Sequence, residues 1–217
     1  MSLDDLRKRG CWPQQKPGVP TSSHGWLVQS TQDALAKRLN ASTRVVLELG
    51  AWLGKSTRFI LDNAPNAHVI SVDLWDDSMI RPWILSRHPR LMPVVDAGVR
   101  ETYLANQWEW RDRLTPLQMH SHAAVDLVGD LGVLPDVVFL DTSHGYQDTL
   151  NEVKRITSAF PTAVLVGDDW EWTTGRSAKR SGENWGCPVA RAVQAFVEEN
   201  PRWVCDAAGN GWSLKVR

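Results

Sequence analysis

The chain holds few of the residues that would tie it to an oxidising compartment. It has three cysteines, Cys11, Cys187 and Cys205, odd in number and scattered. They make neither a disulfide framework nor a zinc spacing, and the cytoplasm is the expected compartment. No apolar run approaches the roughly 18–20 residues of a membrane span. The start, MSLDDLRKRG, lacks the apolar stretch of a secretory signal. The net charge is only −1, so neither nucleic acid nor an anionic membrane is expected as a partner. Tyrosine and phenylalanine are scarce, 2 and 4, against 12 tryptophans. There is no internal repeat or low-complexity tract. One domain over the 217 residues is expected.

What is present is an alternation. Residues 1–25, with Pro13, Pro17 and Pro20, read as an irregular arm preceding a domain over 26–217. Residues 26–39 carry apolar positions at helical spacing. Then come a strand at 44–50, a helix at 55–64 and a strand at 68–75. Residues 76–99, with three prolines, read as a long loop insertion. A helix at 99–114 and a strand at 116–122 follow, then a helix, a strand at 136–146 running into a polar turn, and a helix at 147–160. The run TAVLVGDDW is a further strand. A polar loop at 170–186 precedes a helix at 188–200, and RWVCDAAGNGWSLKV reads as a hairpin. Strands alternating with helices predict an α/β Rossmann-like three-layer sandwich. Its sheet would have seven strands, mostly parallel, with a C-terminal antiparallel hairpin.

Ligands in such sheets bind at the carboxyl ends of the strands, and those ends are polar here. In ELGAWLGKS, Gly50 and Gly54 separate a strand from a helix. They allow close backbone approach, with free N–H groups at the helix start. The third glycine of G-x-G-x-x-G is missing, and the glycine spacing is too short for a P-loop. Asp73 follows about 20 residues later, where an acid can accept from both ribose hydroxyls. A nucleoside cofactor is therefore expected. Both a nicotinamide dinucleotide and S-adenosylmethionine fit, and a cofactor-binding protein without turnover is a further alternative. Glu48, just before the glycines, would repel a diphosphate but suit an ammonium group. Ala51, Ser56, Leu74 and Trp75 flank these positions as candidate cofactor contacts.

ELGAWLGKS, SVD, FLDTSHGY, VGDDW and the terminal NGWSLKV together resemble class I S-adenosylmethionine-dependent methyltransferases. More narrowly, they resemble the metal-dependent small-molecule O-methyltransferases of the catechol and macrolide-sugar types, over residues 26–216. The resemblance implies that Glu48 and Gly50 line the methionine end of the cofactor and that Asp73 holds the ribose. Ser121 and His122 would lie near the adenine. The departure is Asp168-Asp169, where catechol-type relatives have Asp-Asn.

Asp141, Asp168 and Asp169 end two strands that are neighbours in this fold. Three carboxylates that close destabilise one another unless a proton or cation intervenes, and an all-oxygen set suits Mg²⁺ or Mn²⁺. The alternative is that Asp169 only caps the turn. His144, three residues after Asp141, can accept a proton near neutral pH, and the resemblance implies a general base there. The expectation is O-methyl transfer to a hydroxyl of a small molecule, a sugar-bearing or polyketide-type natural product or a phenol. Trp52, Trp75, Trp83, Trp170, Trp172 and Trp185 fall near this end of the sheet, as an acceptor wall or as packing beneath the loops. The segment 170–186 is basic at Arg176, Lys179 and Arg180. The sequence leaves open whether the arm orders over its own site or that of a neighbouring subunit in a homo-oligomer.

Overall fold

A computed structural model of the protein describes residues 3–10, 12–172 and 187–217. The strands are β1 (Val45–Leu49), β2 (His68–Asp73), β3 (Leu114–Gln118), β4 (Val137–Leu140), β5 (Val164–Gly167), β6 (Trp203–Ala208) and β7 (Gly211–Val216). They form one sheet in the order β3-β2-β1-β4-β5-β7-β6. The first five are mutually parallel, and the β6–β7 hairpin adds antiparallel to β5.

The helices are α1 (Leu3–Arg7), α2 (Gln29–Ala36), α3 (Lys55–Asn63), α4 (Asp77–Arg87), α5 (Met92–Ala97), α6 (Val99–Gln107), α7 (Ser121–Asp130), α8 (Tyr146–Ala159) and α9 (Pro188–Glu199). Alternate residues of each central strand enter opposite cores. Leu47, Leu49, Val72, Val138 and Leu165 pack with Val125, Val153, Val193 and Phe196 from α7, α8 and α9. Val46, Val69, Phe139 and Val166 pack with Leu35, Ile60 and Leu104 from α2, α3 and α6. A parallel sheet covered on both faces explains the short, nearly continuous apolar runs.

Three local expectations are corrected. Residues 76–99 are mainly helical rather than a loop insertion. The Asp76 carboxylate caps α4 by accepting from the backbone N–H of Ser78 and Met79. Pro89 and Pro93 sit in the first turns of a 3-10 turn and of α5, where a missing N–H costs nothing. The arm contains helix α1, held by the fully buried Leu6. The third strand begins at Leu114, two residues early. It is an edge strand, where Pro116 is tolerated. Ser121 and His122 therefore belong to α7, whose cap is His120.

Candidate active site

Strand register assembles the site. Leu140 pairs with Gly167, so the next residues, Asp141 and Asp168, leave the sheet side by side. On the other flank β4 pairs with β1, and the β1 loop presses directly on the β4 loop. Gly50 has φ +91°, and a Cβ there would lie 1.8 Å from the Asp141 carbonyl oxygen. No side chain fits that junction.

A cavity of about 540 Å³ opens at these strand ends. Of the expected cofactor contacts, Gly50, Asp73, Leu74, Ser121, His122 and Asp141 line it. Glu48, Ala51, Gly54, Ser56 and Trp75 are not in its lining but stand behind it. Glu48 was expected at the methionine end, yet it is fully buried on the α3 face. Its Oε1 accepts from Ser56 Oγ at 2.6 Å, and its Oε2 from Thr57 Oγ1 at 2.6 Å and Ser71 Oγ at 2.5 Å. Burial raises its pKa against those hydroxyl bonds, and Asp73 adds to the rise. The carboxylate thus anchors the first turn of α3 to β1 and β2. Gly54 (φ +84°) starts that helix where a Cβ would strike the Gln107 amide, 2.0 Å away.

Asp73 stands at the cavity with both oxygens engaged. Oδ2 accepts the Trp52 backbone N–H at 2.8 Å and Oδ1 that of Trp75 at 2.9 Å. Both tryptophans are left-handed, at φ +46° and +40°, a region costly for bulky residues. The Trp75 indole closes the clamp by donating to the Trp52 carbonyl at 2.8 Å. Burial lifts the Asp73 pKa, opposed by the surrounding backbone N–H groups. Those groups are the N–H of Trp75, Trp52, Leu74 and Ala51, so backbone donors ring the carboxylate.

Beyond Asp141 lies an acid–imidazole cluster. Ligand atoms of Asp141, His144 and Asp169 all lie within 4.8 Å of one another. His144 Nδ1 is 2.9 Å from Asp169 Oδ2. Asp168 is turned partly elsewhere: its Oδ1 accepts from Thr31 Oγ1 of α2 at 2.5 Å and from the Asp169 N–H at 2.7 Å. Asp169 is left-handed (φ +63°), which swings its side chain toward His144 instead of along β5. Burial, then the charges of Asp168 and Asp169, push the Asp141 pKa well up. For His144 burial acts downward, but the hydrogen bond and charge of Asp169, with Asp141 and Asp168, outweigh it and raise the pKa. The donor set fits a divalent cation: the crowded acids Asp141, Asp168 and Asp169 beside one imidazole nitrogen are a charge arrangement that a cation relieves.

The tryptophans divide by role. Trp75 is buried against Tyr103, ring centroids 4.5 Å apart. Trp52 and Trp83 both contact Trp26, the residue just past the arm, at 5.6 and 5.5 Å, and Trp83 stands on α4 rather than a loop. Trp172 packs on the His144 ring at 5.0 Å, and Trp170 packs partly buried against the core. Trp185 and the basic residues Arg176, Lys179 and Arg180 lie outside the described residues.

Three contributors were not legible as site residues. Trp212 of β7 donates to the Asp168 carbonyl, Thr31 grips the Asp168 carboxylate, and Glu152 of α8 lines the cavity. Only Glu152 left a signal. It falls on the inward face of α8, among Thr149, Val153 and Ile156, where a charge is out of pattern.

A family model described as a methyltransferase domain matches residues 47–170. No curated protein matches the sequence. Solved structures share the fold. The O-methyltransferase from Bacillus cereus in complex with SAH is 15% identical, with a TM-score of 0.56, covering 93% of this chain and 84% of that one. SAH-bound methyltransferase PaMTH1 from Podospora anserina is 13% identical, with a TM-score of 0.56 and coverages of 90% and 80%. The O-methyltransferase TomG from Streptomyces achromogenes, involved in tomaymycin synthesis and solved with SAM, is 16% identical, with a TM-score of 0.51 and coverages of 85% and 76%. The family model spans more than half of the sequence, so the chain belongs to the methyltransferase domain family, built on the class I S-adenosylmethionine-dependent methyltransferase fold.

Proposed function

We propose that the protein transfers the methyl group of S-adenosylmethionine to a hydroxyl of a small molecule, assisted by Mg²⁺ or Mn²⁺. The observation that carries this reading is the placement of the Asp141–His144–Asp169 cluster against the cofactor-sized cavity, with Asp141 belonging to both. The family match disfavours a nicotinamide oxidoreductase.

Asp73 would hold the ribose, and Ser121 and His122 would border the adenine. Asp141 and Asp169 would hold the cation, joined by the free oxygen of Asp168. When bound, a divalent cation supplies charge stabilisation to a hydroxyl that is losing its proton. With Nδ1–H directed at Asp169, His144 keeps Nε2 free to take that proton. The acceptor oxygen then attacks the methyl carbon in line, the carbon–sulfur bond breaks with its electron pair left on sulfur, and S-adenosylhomocysteine results. Much of the protein's contribution is positioning.

The exposed faces of Trp26, Trp83 and Trp172 offer flat apolar surfaces for a sugar-bearing, polyketide-type or phenolic acceptor. TomG's part in tomaymycin synthesis agrees with a natural product. No helix among the described residues is long and apolar enough to cross a membrane.

The test is calorimetric titration of S-adenosylhomocysteine in EDTA and in Mg²⁺, followed by turnover of a hydroxylated compound library. Binding in both conditions with turnover only in Mg²⁺ supports the reading. Absence of binding in both discards it.

A further inference from the structure

Among the described residues, three hydroxyl side chains line the cavity: Ser121, Thr142 and Ser143. Each gives its proton to a carboxylate. Ser121 Oγ donates to Glu152 Oε1 at 2.6 Å, and Thr142 Oγ1 donates to Glu152 Oε2 at 2.6 Å. Ser143 Oγ donates to Asp148 Oδ2 at 2.8 Å. Glu152 is only 3% exposed and comes from α8, so one buried side chain meets both the start of α7 and the end of β4. A carboxylate accepts and has no proton to return, which fixes the direction of both bonds. The other neighbour of Ser121 Oγ is His120 Nδ1 at 3.5 Å, and that nitrogen already accepts the His122 N–H at 3.3 Å.

We propose that Glu152 sets the hydrogen-bond polarity of the cofactor pocket, so that Ser121 and Thr142 present only lone pairs to the bound base. The pocket therefore selects a purine carrying a 6-amino donor over one carrying a 6-oxo acceptor. This rests on the assignment of the cavity to S-adenosylmethionine, with Ser121 at its adenine end. A 6-oxo purine would set its oxygen against hydroxyl oxygens that have no proton to offer, leaving acceptors facing each other. Sites built around one hydrogen-bond sense reject the wrong partner strongly. Glu152 is a positioning residue here: it acts through the hydroxyls and holds no reacting atom.

The experiment titrates S-adenosylhomocysteine and S-inosylhomocysteine into the wild type, Glu152→Gln and Ser121→Ala. The wild type should prefer the adenosyl compound by at least about tenfold. Glutamine brings an N–H₂ group, so one of the two hydroxyls must accept from it and turn its own proton into the pocket. The preference should then fall severalfold toward parity. Ser121→Ala leaves Glu152 held by Thr142, and it should lose the preference mainly through weaker adenosyl binding. An unchanged ratio of affinities in either variant would overturn the proposal and leave Glu152 as a brace between α7 and β4. If the wild type binds neither nucleoside, the cofactor assignment itself fails. If it binds both equally, only the polarity proposal does.

Discussion

The Trp212 indole N–H donates to the Asp168 carbonyl at 2.8 Å, and its ring fills the space that Gly167 leaves by having no side chain. The hairpin thus supports the acidic turn from behind. A Cβ on Gly167 would lie 2.2 Å from the ring. Gly167→Ala should destabilise the fold by about 1–3 kcal/mol, as overpacking does. Trp212→Phe keeps most of the volume but orphans the buried carbonyl, at a cost of about 1–3 kcal/mol. Thermal melts check both. Metal-dependent turnover should suffer more than S-adenosylhomocysteine affinity, because the disturbance enters at Asp168 and not at Asp73.

His144 and Asp169 set a pH limb. The base acts when unprotonated, and its pKa is raised above the ordinary 6.5 chiefly by Asp169 acting against burial. Those carboxylates would also hold the cation, which would offset their pull on the imidazole, so at saturating Mg²⁺ turnover should fall as pH drops through a midpoint below that of His144 in the metal-free protein. His144→Ala should cut kcat by about 10²–10⁴-fold, the usual scale for general-base removal, with cofactor affinity little changed. A wild-type rate that is flat from pH 6 to 9 would remove His144 as the base.

Asp168→Ala separates the two halves of the site. It should abolish Mg²⁺-dependent turnover while S-adenosylhomocysteine still binds. Thr31 would then lose its carboxylate partner, so a small fall in melting temperature should accompany the change. Equal loss of turnover and of cofactor binding would argue against a cation held there.

Asp73→Asn tests the left-handed clamp. An amide oxygen and an N–H₂ group cannot accept from both Trp52 and Trp75. One of the two backbone bonds must go, and with it the support for a strained residue. Affinity for S-adenosylhomocysteine should drop by tenfold or more, with a lowered melting temperature; an unaltered dissociation constant would place the ribose elsewhere.

His68 carries an acid-sensitivity of the fold remote from the site. Its Nδ1 accepts from Arg7 Nε at 3.3 Å, and its Nε2 lies 2.7 Å from Thr115 Oγ1. Burial, then Arg7 and Arg113, lower its pKa to about 4. The unfolded chain takes up the proton near 6.5 while the folded chain resists it. Stability is therefore full above 6.5 and declines as pH falls toward 4. The loss is up to about 3 kcal/mol, from about 1.4 kcal/mol per pH unit. Denaturant unfolding at pH 7.5 and 4.5 should show a wild-type decline that His68→Gln reduces by that order.

The strand-end chemistry was readable because it is local. Asp73, Asp141 and Asp168 each close an apolar run, and parallel register then sets Asp141 beside Asp168 without further information. Contacts between distant segments were not readable. Thr31 meets Asp168 across 137 positions, and nothing in QSTQDALA marks that threonine. Glu48 was read from its place before the glycines, but strand alternation sends it to the α3 face, where three hydroxyls were waiting. The prolines of 76–99 were misleading for two reasons: Pro89 and Pro93 stand in first turns, where a proline is at home, and Pro82 is carried inside α4 against the usual rule.

The missing side chain at Gly50 has one more consequence. With no gap between that residue and the Asp141 carbonyl, the nucleoside-side loop and the acidic loop form one joint and not two adjoining parts. A side chain at residue 50 would have to part the two loops, so Gly50→Ala should disturb the cavity and the acidic cluster together. Among the described residues, the segment around Trp26 and the α4 surface around Trp83 lie apart from that junction, but Trp26 touches Trp52, whose backbone N–H holds Asp73. Reshaping those pieces would reach Asp73 through Trp52, so the outer wall and the Asp73 clamp should change together.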